Sequence, residues 1–471
     1  MKLWFGALGI ALALAVFALP FPRAGGDTPN YITVADNILF NHCVSRSRPE
    51  SGACEPHWGG NQFPGYPALI ALAGLLSGRS QGDPANRLET PVILLNVLLL
   101  SLAAWRFAAV ARNAFQLRQR DAVLVMVMLC ALPLHVAFAK FLLTETLALA
   151  ATIWLFAELL ASLHTGRLRI ATLAMALAAG FFLRYDAIAG AAAIAVCAFL
   201  IHPPAVALRR GTLVALLFLI PVCVWTARNV AVGLSPVPKL DFGIGLGKPA
   251  GYLAWLETWT AFYYDGARAA YPLDGGHYSR IVIPSRAYDS PSEEAEVRAL
   301  MESLGRFERQ EFPDAIDQAF ARIATERRAR DPLRHWFVLP ATRAAMLWLA
   351  PGFSAGFNIE FGDDVRDRLA EQSWKARGEF IRDNALAVLV KAGLVLLRLV
   401  VIGGFVVVLV RAELPLSHRL SWLVLSYAIA KTLFLVYQGF DEPRLVIQPL
   451  AMMAACWLLY RSEFRRKLNH G

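Results

Sequence analysis

Long apolar runs, separated by short arginine-rich loops, are the feature that most constrains how this chain can fold. The first run, 3–20, has about the length that crosses a bilayer as a helix. Comparable runs follow at 88–110, 122–163, 170–183, 187–201, 212–227, 385–410, 420–437 and 445–460. The run at 122–163 is too long for one crossing, and Lys140 with Thr144 and Glu145 marks a turn between two spans. The sequence therefore predicts an all-α integral membrane protein with about ten transmembrane helices.

The composition and the charge agree with this class of protein. Only 17% of the residues are charged, whereas soluble domains are about a quarter charged. The first run ends Ala18-Leu19-Pro20-Phe21-Pro22, which lacks a small-x-small cleavage pattern, so we predict a retained first span rather than a cleaved signal peptide. The net charge of +10 comes mostly from short loops between spans. Such charge is a topology signal, and we exclude nucleic acid as a partner.

The basic loops also predict the orientation in the membrane. If 333–350 does not cross, one side of the membrane collects 112–120, 164–169, 203–210, 411–419 and the C-terminal tail, and the positive-inside rule makes that side cytoplasmic. We therefore predict that 333–350 is an interfacial or re-entrant helix. This topology divides the chain into three predicted regions. The first is an N-terminal transmembrane module (1–227) with a first extracytoplasmic loop (21–87). A helical extracytoplasmic segment (228–384) follows, and C-terminal transmembrane helices with a basic cytoplasmic tail (385–471) complete the chain.

Asp27 lies only a few residues beyond the first span. Apolar residues at helical spacing from Tyr31 to Leu39 predict a helix in the plane of the membrane interface. Thr28 and Pro29 suit the cap and the first position of that helix. Asp27 is then either a cap neighbour with no further task or a functional carboxylate.

The predicted topology brings ionisable and polar residues to one depth, just outside the apolar layer. They are Asp27, His57, Lys140, Glu145, Arg184, Asp186, Arg228, Asn229, Arg334, Arg343, Asp441, Glu442 and Arg444. Asp27 and Glu145 can share a divalent cation, or divide the roles of base and charge partner. Arginine and lysine at this level suit a phosphate or pyrophosphate group. Each residue also has a structural alternative: Lys140 can snorkel, Arg184 can pair locally with Asp186, Arg444 can mark the membrane edge, and His57 can be solvated.

The six cysteines predict no metal site by their spacing. Cys130, Cys197, Cys223 and Cys456 lie in apolar runs and are expected to pack as small hydrophobic residues. Cys43 and Cys54 share the first loop, and a disulfide between them is an open alternative if that loop faces an oxidising compartment.

Short motifs in a fixed order resemble the GT-C superfamily of membrane glycosyltransferases. More specifically, they resemble those of the bacterial relatives of protein O-mannosyltransferases and of the transferases that add aminoarabinose to lipid A. The motifs, after Asp27 itself, are Phe63-Pro64-Gly65-Tyr66-Pro67, Thr144-Glu145, Arg184-Tyr185-Asp186, Trp225-Thr226-Ala227-Arg228-Asn229, and Glu442-Pro443-Arg444 followed by Gln448-Pro449.

The resemblance implies sugar transfer from a polyprenyl-phosphate donor to an extracytoplasmic acceptor (lipid, glycan or protein) at the outer face of a bacterial plasma (inner) membrane. The resemblance implies Asp27 as the catalytic base and places Glu145 near the metal or the donor. The full predicted site adds Lys140, Arg184, Arg228 and Arg444 at the donor phosphate, Tyr31, Tyr66, Asn229 and Arg343 at the substrate, and His57 with Glu145 as ligands if a divalent metal ion takes part. Two departures matter. Gln62-Phe63 stands where relatives often carry a lysine, and Thr28 stands where they often carry a second acid.

Two other functions remain alternatives at this point. A multi-pass transporter or lipid flippase would line a pathway with its intramembrane charges, although we see no internal duplication of the kind that such proteins often have. An oligosaccharide transferase of the O-antigen-ligase type would also combine a large outer loop with arginines.

Overall fold

The structure is a computed structural model that describes residues 2–20, 27–45, 64–233, 249–273, 276–350, 378, 381–411, 415–439 and 442–470. Across these residues the regular structure is helical throughout and contains no strand, in agreement with the predicted all-α class. The chain forms two compact units. Unit 1 comprises Met1–Pro236, Pro351–Lys431 and Arg444–Gly471, and unit 2 comprises Val237–Ala350 and Thr432–Pro443.

Six helices among the described residues are long and apolar enough to cross a membrane, and they indicate a membrane protein. They are Ala85–Ala114, Glu145–Thr165, Pro204–Ala231, Ala385–Val410, Leu416–Tyr437 and Pro443–Leu468. The predicted runs at 3–20, 170–183 and 187–201 form shorter apolar helices. A 14-residue helix such as Ile170–Leu183 rises only about 21 Å, less than the hydrocarbon thickness. The four further spans therefore remain predictions.

Unit 1 is built from twelve α-helices over the described residues, one of which it shares with unit 2. We number them α1 Lys2–Ala18, α2 Thr28–Phe40, α3 Gly65–Leu76, α4 Glu89–Ala114, α5 Gln119–Ala131, α6 Glu145–Thr165, α7 Ile170–Leu183, α8 Gly190–Ile201 and α9 Pro204–Ala231, with α15 Ala385–Val410, α16 Pro415–Gln438 and α17 Ile447–His470 after the helices of unit 2. Helix α16 supplies Thr432 and the residues after it to unit 2.

Helix α6 is the centre of unit 1. It is buried along most of its length and packs against α4, α7, α8 and α17. It ends at Gly166, whose positive φ of 65° is the left-handed conformation that glycine adopts at little cost. Helix α6 carries two buried glutamates, Glu145 at its first residue and Glu158 about two turns before its last residue. We call the corresponding parts of the helix its Glu145 end and its Glu158 end.

The segment between α5 and α6 contains the short 3₁₀ helix Val136–Lys140 and leads directly into Glu145. This is the predicted turn within the long apolar run. The buried Thr28 hydroxyl donates a hydrogen bond to the Leu142 carbonyl over 3.0 Å. That bond holds the start of α2 beside the start of α6, so the residue after the first-loop acid has a positioning role rather than an acidic one.

Gly65 explains how the predicted Pro64-Gly65-Tyr66 element folds. A Cβ atom at this position would lie 2.3 Å from the backbone carbonyl oxygen of Phe182. Only glycine permits this approach without a backbone shift. The contact holds the first turn of α3 against the end of α7, close to Arg184, and so fixes where Tyr66 lies.

Unit 2 is a smaller helical body around an aromatic core. Its α-helices are α10 Ala250–Leu256, α11 Tyr263–Ala270, α12 Pro291–Gly305, α13 Asp314–Arg330 and α14 Leu339–Leu349, the last preceded by a π-helical turn, Arg334–Val338. Tyr252, Trp255 and Phe320 are fully buried and pack together where α10 meets α13. Arg327 is also buried there, where it pairs with Glu293 and donates to Thr258. This core is separate from that of unit 1.

Candidate functional site

Glu145 is the centre of the candidate site in unit 1. Its side chain is 2% exposed, and one oxygen, Oε1, is shared by two arginines. Arg444 Nη1 lies 3.2 Å from Oε1, and Arg184 Nη1 lies 3.5 Å from it. The second oxygen, Oε2, accepts no hydrogen bond in the described part of the chain. The carboxylate is therefore held by cations on one side only.

A second carboxylate extends the cluster. Asp186 Oδ1 lies 3.4 Å from Arg184 Nε, and Asp186 Oδ2 lies 3.1 Å from Lys431 Nζ. The Thr144 hydroxyl also accepts from Arg184 Nη1, over 3.0 Å. We call Glu145, Arg184, Asp186, Lys431 and Arg444 the charge cluster. It alternates cations and carboxylates along one line of contacts, and each carboxylate bridges two cations.

Lys431 belongs to the site although the sequence did not single it out. It lies within the apolar run 420–437 and is 1% exposed. A lysine buried within a candidate span is costly unless an acid neutralises it, and the partner here is Asp186. The signal available in the sequence was the isolated lysine in an otherwise apolar span.

Two tyrosines from the predicted site lie beside the cluster. The rings of Tyr31 and Tyr66 pack edge to face with centroids 5.1 Å apart. Burial raises the pKa of the Tyr31 phenol, and the nearby carboxylates of Asp27 and Glu145 raise it further. Burial likewise raises the pKa of Tyr66, with Glu145 contributing and a hydrogen bond from Asn96 opposing. Both phenols are therefore neutral hydrogen-bonding groups next to Glu145.

Asp27 occupies the N-cap position of α2, but its side chain makes no capping hydrogen bond. Its backbone carbonyl accepts from the Tyr31 amide over 3.1 Å, and its carboxylate is near enough to affect the Tyr31 phenol. The helix begins at Thr28 with Pro29 second, one residue earlier than the cap position that the sequence suggested. The carboxylate of Asp27 thus lies at the edge of the site without a capping function.

Arg228 and Asn229 form a second group in unit 1, at the end of α9. Arg228 lies over the Trp225 ring and donates to Asn229 Oδ1 over 3.1 Å and to the Val44 carbonyl over 3.3 Å. Asn229 is fully buried, and its Nδ2 has no hydrogen-bond partner within the described ranges. These residues lie beside the described end of the first loop. Their predicted role at the donor phosphate and substrate stays a prediction.

Lys140 and Arg343 lie in different surroundings. The Lys140 ammonium lies over the Phe17 ring, 5.8 Å from its centroid. Arg343 belongs to unit 2 and donates to three backbone carbonyls, those of Thr260, Val436 and Glu257. This set of acceptors is typical of a structural arginine that joins α14 to the end of α16. The predicted role of Arg343 at the substrate stays a prediction.

Three residues singled out in the sequence, His57, Cys54 and Asp441, lie outside the described residues. Cys43 is disulfide-bonded, whereas Cys130, Cys197, Cys223 and Cys456 are free. In the part of the chain that the structure describes, no three His, Cys, Asp or Glu side chains gather as metal ligands. Oε1 of Glu145 is already engaged by two arginines, which disfavours a cation at that oxygen. Because His57 lies outside the described residues, the predicted metal site at Glu145 and His57 stays a prediction, and we derive no step through a metal.

The fold and the charge cluster define an all-helical membrane protein with a buried site of paired acids and cations. Comparison with known proteins adds no family to this class: the chain matches no described family, no curated protein and no solved structure. The function is therefore argued from the site.

Proposed function

We propose that this protein is an integral-membrane glycosyltransferase that moves a sugar from a polyprenyl-phosphate donor to an extracytoplasmic acceptor. The observation that carries the proposal is the juxtaposition of Arg184 and Arg444 on Glu145, beside Tyr31 and Asp27. The order of motifs that resembles the GT-C superfamily supports the same reading. The acceptor class (lipid, glycan or protein) is left open.

The two arginines suit the phosphate of the donor. A guanidinium carries five N–H donors in a fixed fork. Arg184 already donates to Thr144, Glu145 and Asp186, which leaves one N–H of Nη2 for a phosphate oxygen. Arg444 can likewise keep its contact with Glu145 while it binds phosphate oxygens. Glu145 holds both forks in place. Lys140 and Arg228 remain candidates for further phosphate contacts.

Asp27 suits the general base. Its carboxylate would take the proton from an acceptor hydroxyl or amine while the acceptor attacks the anomeric carbon of the sugar. The bond between that carbon and the phosphate oxygen breaks, and the released phosphate carries the negative charge toward the arginines. A single displacement of this kind inverts the configuration at the anomeric carbon.

The test offers membranes containing the protein a radiolabelled polyprenyl-phosphate monosaccharide and follows label entering an acceptor. We expect Asp27→Asn to lower transfer by about 100-fold or more, with normal insertion and expression. Asp83→Asn is the matched control, because Asp83 pairs with Arg87 in the exposed turn before α4. Full transfer by both Asp27→Asn and Glu145→Gln would refute the assigned site.

We also propose that α14 of unit 2 lies in the membrane interface on the outer side. Three contacts join α14 and the π-helical turn before it to the last turns of α16: Tyr437 donates to the Trp336 carbonyl, Arg343 to the Val436 carbonyl, and Trp348 to the Thr432 hydroxyl. Those turns end the candidate span Leu416–Tyr437. In the same segment Leu333, Trp336, Phe337 and Val338 are each more than half exposed. An exposed apolar surface beside the end of a span suits a helix in the interface.

A site-directed label can test this placement. We would attach a fluorophore at Phe337→Cys, in a background carrying Cys223→Ser because Cys223 is exposed, and measure quenching by a lipid-resident nitroxide in nanodiscs. Strong quenching is expected there, and little at Glu302→Cys on the exposed face of α12. Equal quenching at both positions would exclude the interfacial assignment.

A lipid flippase or transporter is the second candidate, favoured by cations buried within candidate spans. Lys391 and Arg398 lie on the buried face of α15, and Lys431 lies within α16. Charged residues buried within membrane spans often mark the pathway of a substrate or an ion. Lipid movement in reconstituted vesicles without consumption of an acceptor would favour this function over transfer.

A further inference from the structure

Several buried polar groups around Glu145 are left without partners, and their chemistry differs from that of the arginines. Glu145 Oε2 and Asn96 Oδ1 are acceptors that receive no hydrogen bond from any described residue. Their side chains are 2% and 0% exposed. Buried polar groups are nearly always satisfied in native proteins. Unsatisfied acceptors next to a candidate site therefore point to a ligand that donates hydrogen bonds.

Contacts place Asn96 at this site. Asn96 Nδ2 donates to the Tyr66 hydroxyl over 3.5 Å, and Tyr66 packs against Tyr31. Both tyrosines lie near Glu145. Asn96 belongs to α4, the helix that packs along α6. The Tyr66 contact uses the amide nitrogen of Asn96 and leaves its oxygen for another donor.

Gln448 extends the same pattern. It lies one turn beyond Arg444, where the 3₁₀ segment Pro443–Val446 passes into α17. It is 1% exposed, and neither its Nε2 nor its Oε1 has a hydrogen-bond partner in the described chain. Gln448 follows Arg444 by four residues, across the join between the 3₁₀ segment and α17, so it lies close to Arg444 along the chain. An amide offers one donor group and one acceptor, the two functions that a hydroxyl can match.

We infer that Asn96, Gln448 and the free oxygen of Glu145 form a hydroxyl-binding subsite for the sugar of the donor. The inference rests on the proposed function and assigns the two parts of the donor to different groups. A phosphate group at neutral pH mainly accepts hydrogen bonds, so it suits Arg184 and Arg444. Sugar hydroxyls donate as well as accept, so they suit the unsatisfied acceptors. The subsite is thus expected to recognise the hydroxyl pattern of the sugar, while the arginines recognise the phosphate whatever sugar it carries.

The test separates the two parts of the donor. Purified protein in nanodiscs would be titrated with decaprenyl phosphate and with decaprenyl-phosphate monosaccharides carrying a hexose, an N-acetylhexosamine or a pentose. We expect at least one glycosylated lipid to bind more tightly than the bare phosphate. Asn96→Leu should lower affinity for that lipid by about tenfold, the loss of roughly one hydrogen bond, and leave the affinity for decaprenyl phosphate unchanged. Arg444→Gln should weaken both.

Controls distinguish this inference from the proposed function. Ser101→Ala, a change at another buried unpartnered hydroxyl on α4, should alter neither affinity. If Asn96→Leu does not fold, Tyr66→Phe provides the second variant, because it removes the hydroxyl that orients the Asn96 amide, and it should weaken the glycosylated lipid selectively. Equal binding of bare and glycosylated lipids by the wild type, or no sugar-dependent loss in these variants, would overturn the subsite alone and indicate buried water. Failure of the wild type to bind any of these lipids would overturn the subsite together with the proposed donor.

Discussion

The two buried glutamates of α6 are a natural comparison, because they share a helix and are equally buried but are satisfied differently. Glu158 uses both oxygens: Oε1 accepts from Arg106 Nε over 3.0 Å, and Oε2 lies 2.5 Å from Arg169 Nη1 and accepts from the Thr172 hydroxyl. Glu145 engages two arginines through one oxygen, over 3.2 and 3.5 Å, and its other oxygen has no partner among the described residues. Both carboxylate oxygens of Glu158 therefore have partners among the described residues, whereas only one oxygen of Glu145 does.

The difference teaches how to separate structural from functional charges in this protein. Arg343 and Arg327 of unit 2 resemble Glu158, because they donate hydrogen bonds to carbonyls and carboxylates of their own unit. Charged side chains whose hydrogen bonds are made within their own unit serve to hold its helices together. A buried polar group without a partner costs stability unless a ligand completes its hydrogen bonds, so such groups are candidates for ligand contacts.

The largest expected effect concerns transfer. Glu145→Gln should lower sugar transfer by about 100-fold, because the neutral amide no longer holds the Arg184 and Arg444 forks toward the donor phosphate. Glu158→Gln should retain transfer within about threefold of the wild type, since its arginines lie at the other end of the helix and contact no proposed donor group. Initial rates with saturating labelled donor would measure both. Similar losses in the two variants would show that the ends of α6 do not differ in function.

Stability should show the reverse order, with a larger loss for Glu158→Gln than for Glu145→Gln. Glu158→Gln gives up short charge-assisted hydrogen bonds to two arginines that are only 27% and 37% exposed, and we expect a loss of about 2 kcal/mol. Glu145→Gln gives up longer contacts through one oxygen, and Arg184 keeps Asp186, so a loss of about 1 kcal/mol is expected. Thermal unfolding in detergent would compare them, with Glu302→Gln on exposed α12 as the control. A larger loss for Glu145→Gln would contradict the view that Glu158 is the structural member of the pair.

Much of this architecture follows from the sequence because apolar runs and basic loops are direct physical signals. The all-α class, the turn before Glu145 and the break between α7 and α8 at Arg184 all come from where apolar character stops. The placement of Glu145, Arg184 and Arg444 at one depth followed from the topology, and the structure brings these three together. The count of ten spans is not established in this way, because length alone qualifies six helices.

The surroundings of the remaining residues could not be predicted from the sequence, because the depth of a residue in the membrane does not determine which way its side chain points. Arg343 shares the predicted level, yet its helix turns the guanidinium toward the carbonyls of unit 2. Asn96 was not predicted as a site residue, since one polar side chain in an apolar run specifies neither its face nor its partner. Gln448 was quoted only as part of a motif. Gly65 was quoted only as part of a motif. Its role became clear from the Phe182 carbonyl, a contact between residues far apart in the chain.

The smallest expected effect is a pH dependence of stability that comes from His135, in the segment before α6. His135 is buried in the segment that leads to Glu145, outside the six candidate spans, and burial lowers its pKa from 6.5 to about 4 despite a hydrogen bond to the Leu129 carbonyl. The unfolded chain takes up a proton near pH 6.5 and the folded chain resists it, so stability should fall as the pH decreases from 6.5 toward 4. We expect a loss of about 1 kcal/mol between roughly pH 7 and 5.5, measured as a decrease in Tm. His135→Asn should flatten this dependence, whereas His164→Asn, at an exposed histidine near the Glu158 end, should preserve it. An unchanged pH profile in His135→Asn would mean that the segment before Glu145 does not hold a neutral imidazole.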